Sequence, residues 1–288
     1  MKKIRTGILG LNQLLDGGFN ENSTTVVIGR SGAGKTTLAT QYIRRGLHDG
    51  QEGIFVSLDE NKEQIIREAV EMGWSDIRDY LDDEQLVFID ASGREFGTFI
   101  RKELPAFVAE WEGAGARIAV DPLTPVIWST QDGYEQRDLI GFMLKQTRKV
   151  GTVLCTLEEH GAGDLTNPET VIPMYLADCA IHLRYQSDGP NVRRELKIVK
   201  CRSSRHSAQA HGYHIVRGLG LIVEPAGYRR TTTAKVPAVL RQLLRDPGVP
   251  RSVSDRIEKM LDGLTDDDFR ELKPEQVLEL IRQEYGSA

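Results

Sequence analysis

Gly29-Arg30-Ser31-Gly32-Ala33-Gly34-Lys35-Thr36 fits the spacing G-x-x-x-x-G-K-[ST]. Glycines at these places let backbone N–H groups turn inward around phosphate oxygens, where a Cβ would collide. Lys35 is then within reach of β- and γ-phosphates, and the Thr36 hydroxyl is placed to ligate Mg2+. The apolar, β-branched run Thr24–Ile28 reads as a strand, and Thr37–Ile43 as a helix whose positive dipole end adds to the anion site. Strand, loop and helix in that order imply a nucleoside triphosphate held by Gly29, Ser31, Gly32, Ala33, Gly34, Lys35, Thr36 and Thr37.

Hydrolysis would need three further groups. A carboxylate on a neighbouring strand must help hold Mg2+, and Arg117-Ile118-Ala119-Val120-Asp121 is an apolar strand candidate ending in one. The alternative is a turn-forming Asp121, since Asp-Pro pairs favour turns and Pro122 follows. A base or water-orienting group must stand near the γ-phosphate. Ile54-Phe55-Val56-Ser57-Leu58-Asp59-Glu60 sets two adjacent carboxylates at a strand's C-terminal end, the edge where ligands gather in open α/β sheets. Side by side they resist ionising together, which raises one pKa and suits that acid to act as a base. The plainer alternative is a solvated strand end, with Asp59 or Asn61 capping the next helix. Finally, positive charge must meet the γ-phosphate in the transition state. Lys200-x-Arg202-x-x-x-His206 closes a strand candidate, and alternation puts Lys200 and Arg202 on one face. Such a pair is either an arginine-finger type of clamp or an ordinary solvated sheet face.

The elements around these residues alternate. Strands are expected at Thr24–Ile28, Gly53–Leu58, Leu86–Ile89, Ala116–Val120 and Thr152–Leu157, with helices at Lys35–His48, Lys62–Met72, Phe96–Trp111 and Tyr134–Val150. That rhythm predicts an α/β fold with a mostly parallel sheet wrapped by helices. After Pro173, Cys179–Tyr185, Arg194–Arg202, Gly212–Val216 and Leu219–Val223 follow with short turns, so antiparallel strands should extend one sheet edge. Residues 1–230 then form the main domain and 231–288 a C-terminal helical extension, joined by a linker at Arg229–Thr233. The extension is expected to hold three amphipathic helices, Val236–Arg245, Ser252–Leu264 and Pro274–Tyr285. Ser252 and Thr265 are candidate N-caps and Gly286 a C-cap. Val277, Leu280, Ile281 and Tyr285 share one face, which either docks on the main domain or receives a protein partner.

Bulk composition narrows the class. At 288 residues, 40% hydrophobic, 27% charged and net −5, the chain can bury a full α/β core. It lacks the positive field on which sequence-independent nucleic-acid binding depends. Cys155, Cys179 and Cys201 show no metal spacing and read as buried reduced thiols. No apolar stretch approaches the ~20 residues of a membrane span. The Met1-Lys2-Lys3 start resembles a leader, but Gly10, Asn12, Asp16 and Gly17 break the apolar block that should follow. A cytoplasmic location is expected.

Several separated segments resemble the KaiC/RadA branch of the RecA superfamily. Thr6-Gly7-Ile8, Gly10-Leu11, Leu14-Leu15 and Gly17-Gly18 are similar to that family's opening. Phe55–Glu60, Gly73-Trp74, Phe88–Ser92, Val120–Thr124, Thr156–Glu159, Ala177-Asp178 with Leu183–Tyr185, Lys200–His206 and Gly220–Pro225 follow at fitting intervals, and the likeness covers about residues 4 to 228. It implies a RecA-like P-loop ATPase that uses ATP and Mg2+ and forms a ring, usually a hexamer. In that arrangement Lys200, Arg202 and His206 complete the neighbour's site, and Glu60, with Asp59 beside it, is the catalytic acid pair. Two positions depart from the pattern: Asp59 stands for a Glu and Ser203 for a Gly.

The resemblance leaves three roles to weigh: a regulatory ATPase signalling through partner proteins, a RadA-like recombination ATPase, and a KaiC-type autokinase or autophosphatase. DNA handling is disfavoured. The loop candidate 127–137 carries two acids and one base, and 158–169 carries four acids and no Lys or Arg. Self-phosphorylation is disfavoured too, because Met174 and Tyr175 stand where KaiC carries its modified Ser-Thr pair.

Overall fold

The computed structural model describes residues 1–91, 96–160, 165–188, 191–224, 236–246, 248–261 and 264–286. Strands β1 (Lys3–Ile4) and β2 (Phe19–Asn20) pair as a small ribbon around helix α1 (Leu11–Leu14). The alternating core follows: β3 (Thr24–Gly29), α2 (Lys35–His48), β4 (Gly53–Ser57), α3 (Lys62–Glu71), α4 (Asp76–Asp82) and β5 (Leu86–Asp90). Next come α5 (Phe96–Thr98), a π-helical turn (Phe99–Glu103), α6 (Leu104–Trp111), β6 (Ala116–Asp121), α7 (Thr124–Trp128), α8 (Gly133–Val150) and β7 (Gly151–Glu158). After α9 (Pro168–Leu176) the chain runs through β8 (Cys179–Asp188), β9 (Asn191–Cys201), β10 (Ala210–Val216) and β11 (Gly220–Val223).

These nine strands, β3 to β11, form one sheet in the order β11-β10-β9-β8-β3-β7-β6-β4-β5. From β8 to β5 every neighbour is parallel, and β9, β10 and β11 extend the β8 side antiparallel. The strand-period alternation of side chains builds a core on each face. Val27, Phe55, Ala119, Leu154 and Ile181 pack with α2 and α3, whereas Val26, Ile54, Ile118, Val153 and Cys155 pack with α6 and α8. The helix expected at Phe96–Trp111 forms as one continuous run, with its ladder widened to a π-turn at Phe99–Glu103. Pro105, in the first turn of α6, has no N–H to continue the preceding ladder. All three cysteines are buried and free.

Beyond the strands lie α10 (Ala238–Leu244), α11 (Arg251–Leu261), α12 (Asp266–Glu271) and α13 (Pro274–Gly286). Among the described residues four helices therefore stand where three were expected. Thr265 caps α12 in a reciprocal box with Asp268, but Ser252 lies inside the first turn of α11 and Gly286 inside α13. The linker and the expected 230/231 boundary, with Pro225, fall outside the described residues, as does the Tyr285 side chain. The apolar face of α13 is turned inward: Val277, Leu280 and Ile281 share a core with Leu9, Val216, Leu219 and Ile222 around the β10–β11 hairpin. The face expected to dock or to receive a partner is thus covered by this chain's own sheet edge. Among the described residues no helix is long and apolar enough to cross a membrane.

One buried side chain ties α2 to that hairpin. The Gln41 amide donates to the carbonyls of Gly7 and Leu219, both at 2.9 Å, and accepts from the Leu221 N–H at 2.8 Å. Replacing it with an apolar residue leaves several buried backbone groups without partners, at about 1–3 kcal/mol each before relaxation. Gln41→Leu should therefore lower unfolding free energy by about 3 kcal/mol in urea titration. A midpoint unchanged from the parent protein would contradict this assignment.

Candidate active site

The glycine-rich loop joins the fully buried strand β3 to α2. Gly32 and Gly34 adopt left-handed φ values of +80° and +89°, which side chains other than glycine rarely accept. A Cβ on Gly29 would lie 2.7 Å from the Leu183 carbonyl oxygen, so the loop's first residue is held against β8. Helix α2 starts at Lys35 with no side-chain cap, which leaves its first N–H groups directed at the loop. Ser31 and Gly32 are exposed, Ala33 is buried, and Thr36 and Thr37 are half-buried. The Tyr213 hydroxyl on β10 anchors the Ala33 carbonyl at 2.7 Å.

Lys35 is only 7% exposed. Its ammonium donates to the Arg30 carbonyl at 3.2 Å and lies 3.7 Å from Glu158 Oε1. Burial lowers its pKa, while the nearby charges of Glu158, Asp121 and Glu159 oppose that shift. Asp121 ends β6 and is also buried; its carboxylate accepts from the hydroxyls of Thr156 and Thr36. Desolvation pushes its carboxyl up, against those hydrogen bonds and the Lys35 charge. Asp121 is thus a strand residue with its side chain aimed at Thr36, and the cis Asp121–Pro122 bond follows it. Among the described residues no cluster of three or more His, Cys, Asp or Glu could hold a metal alone. The Thr36–Asp121 pair suits Mg2+, which takes few protein ligands and fills its shell with phosphate and water oxygens.

Asp59 and Glu60 follow β4 and are exposed. The Ser57 hydroxyl donates to the Glu60 carbonyl, and Asn61, not Asp59, caps α3 by accepting from the Gln64 N–H at 2.9 Å. Burial pushes the Glu60 carboxyl up, and the charges of Glu68, Asp121, Asp59 and Glu158 push the same way.

Glu158 is a site residue that sequence reasoning passed over. It pairs in register with Gly29 across β7 and β3, which brings its carboxylate to Lys35. Its N–H donates to Thr124 Oγ1 at 2.9 Å, and its carboxylate lies 3.8 Å from His160 Nε2. Behind it, Glu159 is buried and meets His182 Nε2 at 3.0 Å. A carboxylate closing the fifth strand candidate is visible in the sequence, but the adjacency of that strand to the phosphate loop is not.

Lys200 and Arg202 come together, but away from the loop. Both donate to the Tyr175 carbonyl, at 3.2 and 2.8 Å, and Arg202 lies over the Tyr175 ring at 5.9 Å. His206 Nδ1 lies 3.4 Å from the Ser204 carbonyl oxygen. The register explains the separation. The end of β9 pairs with the start of β8 (Cys201 with Cys179), and the start of β8 pairs with the start of β3 (Cys179 with Thr25). These cations therefore lie toward the sheet edge opposite the phosphate loop, about 10 Å from Gly29 along β3 for Lys200 and about 17 Å for Arg202. Ser203, which follows the pair, adopts φ +57°. That left-handed conformation is one glycine takes without strain.

The geometry agrees with the likeness to known proteins. The family model for the KaiC ATPase matches residues 4–228. Circadian clock oscillator protein KaiC 1 of Synechocystis sp. is 29% identical over 247 residues, which cover 81% of this chain and 46% of that protein. KaiC of Parathermosynechococcus lividus is 30% identical over 241 residues, covering 80% of this chain and 44% of that protein. The chain spans about half the length of these curated relatives. The crystal structure of a KaiC-like protein from the archaeon Pyrococcus horikoshii OT3 superposes with a TM-score of 0.65 at 27% identity, over 78% of this chain and 99% of that one. The α/β core is RecA-like, the matched span takes in the phosphate loop, Asp121 and the Lys200–His206 segment, and the chain belongs to the KaiC ATPase family.

Proposed function

We propose that this chain hydrolyses ATP with Mg2+ in sites completed between protomers of a hexameric ring, and that the ring's nucleotide state signals to partner proteins. The observation that carries this reading is the opposition of the two sheet edges. The loop, Asp121 and the Asp59–Glu60 pair stand at one edge, while Lys200, Arg202 and His206 stand at the other. Apart from Lys35, these cations of a protomer stand away from its own phosphate loop, where a head-to-tail neighbour can supply them.

Each residue then has a defined task. Lys35 and the backbone N–H groups from Gly29 to Thr37 bind phosphate oxygens. Thr36 and Asp121 hold Mg2+, which when bound neutralises charge on the β- and γ-oxygens. Glu60 takes the proton of the attacking water, with partial burial first and then the charges of Glu68, Asp121, Asp59 and Glu158 keeping its proton affinity high. Lys200, Arg202 and His206 of the partner subunit face the charge that develops on the γ-phosphate. The clock role in the relatives' names belongs to proteins this chain covers only in part. A DNA-handling role finds no support in the acidic stretches 127–137 and 158–169, although residues 161–164 lie outside the described structure. An autokinase role finds none at Met174 and Tyr175, which lack Ser or Thr hydroxyls.

Lys35→Ala should abolish binding of a fluorescent ATP analogue, while Glu60→Gln should bind it normally and lose about 100-fold or more in kcat. Normal turnover in Glu60→Gln would remove it from the chemistry. The raised Glu60 carboxyl also sets the pH profile. A base works unprotonated, so kcat at saturating Mg-ATP should fall as the pH drops through a value above that of an ordinary glutamate. The residual rate of Glu60→Gln should lack that acid limb; a limb that survives the substitution belongs to another group. Mixing inactive Arg202→Ala with inactive Glu60→Gln should restore turnover, because mixed rings contain interfaces with both groups intact. Mixed rings shown by mass to have formed, yet without activity, would count against a clamp acting in trans.

A further inference from the structure

A cavity of about 390 Å³ opens beside the first turns of α2. Thr36 and Thr37 belong both to its wall and to the phosphate loop, so the two spaces are continuous. Ile65, Met72 and Trp74 line one side and Ile215 the other. Glu68, Glu71 and Arg217 share the lining with these apolar side chains, and a mixed cavity within the usual size range of ligand pockets suits the flat base of a nucleotide whose phosphates lie in the loop. One rim residue comes from an unexpected part of the chain. Gln283 belongs to α13, in the helical extension beyond the residues 4–228 matched to the family. Its amide carries both a donor and an acceptor, as the adenine N6/N7 edge requires.

The extension is wired to the same cavity through one carbonyl. Trp74 Nε1 donates to the Gly218 oxygen at 3.1 Å from the cavity side, and Gln276 Nε2 of α13 donates to it at 3.2 Å from the other. Gln41 of α2 holds the adjoining Leu219 and Leu221 carbonyls. The helix that begins at the phosphates, the cavity wall and α13 therefore bear on a single turn.

We infer that the C-terminal helical unit is part of the nucleotide site: Gln283 meets the purine base, and base binding and docking of α13 are one linked equilibrium. This rests on the ATP-binding reading above. Linkage is reciprocal, so a base in the cavity steadies α13, and α13 in place tightens the nucleotide. The extension thereby becomes the surface on which nucleotide occupancy can be read by another molecule.

Two probes separate this inference from its premise: Mg-ATP, which has a base, and Mg-tripolyphosphate, which has only the charged chain. The parent protein should bind both. Gln283→Ala should weaken Mg-ATP about tenfold and leave tripolyphosphate unchanged, as measured by calorimetry. In the parent protein, hydrogen exchange along α13 should slow with Mg-ATP and not with tripolyphosphate. Unaltered ATP affinity in Gln283→Ala, equal loss for both probes, or α13 exchange that ignores the base would each overturn the inference. Failure of the parent protein to bind either probe would instead overturn the ATP-binding reading itself.

Discussion

Strand β3 is held in parallel register between β7 and β8, and the functional geometry follows from that pairing. Parallel strands all end at one sheet edge, so the phosphate loop after β3, the acid pair after β4, Asp121 on β6 and Glu158 on β7 converge without help from the loops. The same register sends β9 back the other way and deposits Lys200 and Arg202 at the far edge. On the proposed reading, one hydrogen-bonded ladder assembles the anion-binding half of the site and places the cationic half at the opposite edge. The proposed closed ring of identical copies would reunite them.

Burial gives the assembled half its electrostatic character. Lys35 and Asp121 are both withdrawn from water, and desolvation works against the charged form of each. Their mutual attraction offsets that cost for both, helped by the Glu158 carboxylate at Lys35 and by the Thr156 and Thr36 hydroxyls at Asp121, whereas the Glu158 charge pushes the Asp121 carboxyl further up. The proposed triphosphate and Mg2+ would complement this arrangement, since each would add the charge that a buried ammonium or carboxylate lacks. Glu60 differs in that its residue stays open to water, while partial desolvation of its carboxyl, and then the negative charges around it, raise its proton affinity.

Local pattern made much of this legible and long-range pairing made the rest invisible. The phosphate loop, the helix at Lys35–His48 and the strand ending in Asp121 are encoded by contiguous residues, and they form where the sequence places them. Alternation correctly puts Lys200 and Arg202 on one face, as their common bond to the Tyr175 carbonyl shows. Which edge they occupy depends on the β8–β9 pairing, which no local signal carries. Glu158 was hidden for the same reason, because only the adjacency of β7 and β3 brings it to Lys35. Thr265 was legible as an N-cap, but α12, which it opens, has only six residues, too few for an apolar period to mark it. The C-terminal helices had a readable apolar face, but its destination, the β10–β11 hairpin, again belongs to tertiary structure.

The central claim is that one copy of this chain holds only part of a working ATPase. Turnover measured across a dilution series in Mg-ATP, with light scattering on the same samples, tests it most directly. Activity per chain should rise and fall with a particle several times the 32.2 kDa of a single copy and vanish where only that mass remains. Full turnover by a 32.2 kDa species would contradict the account.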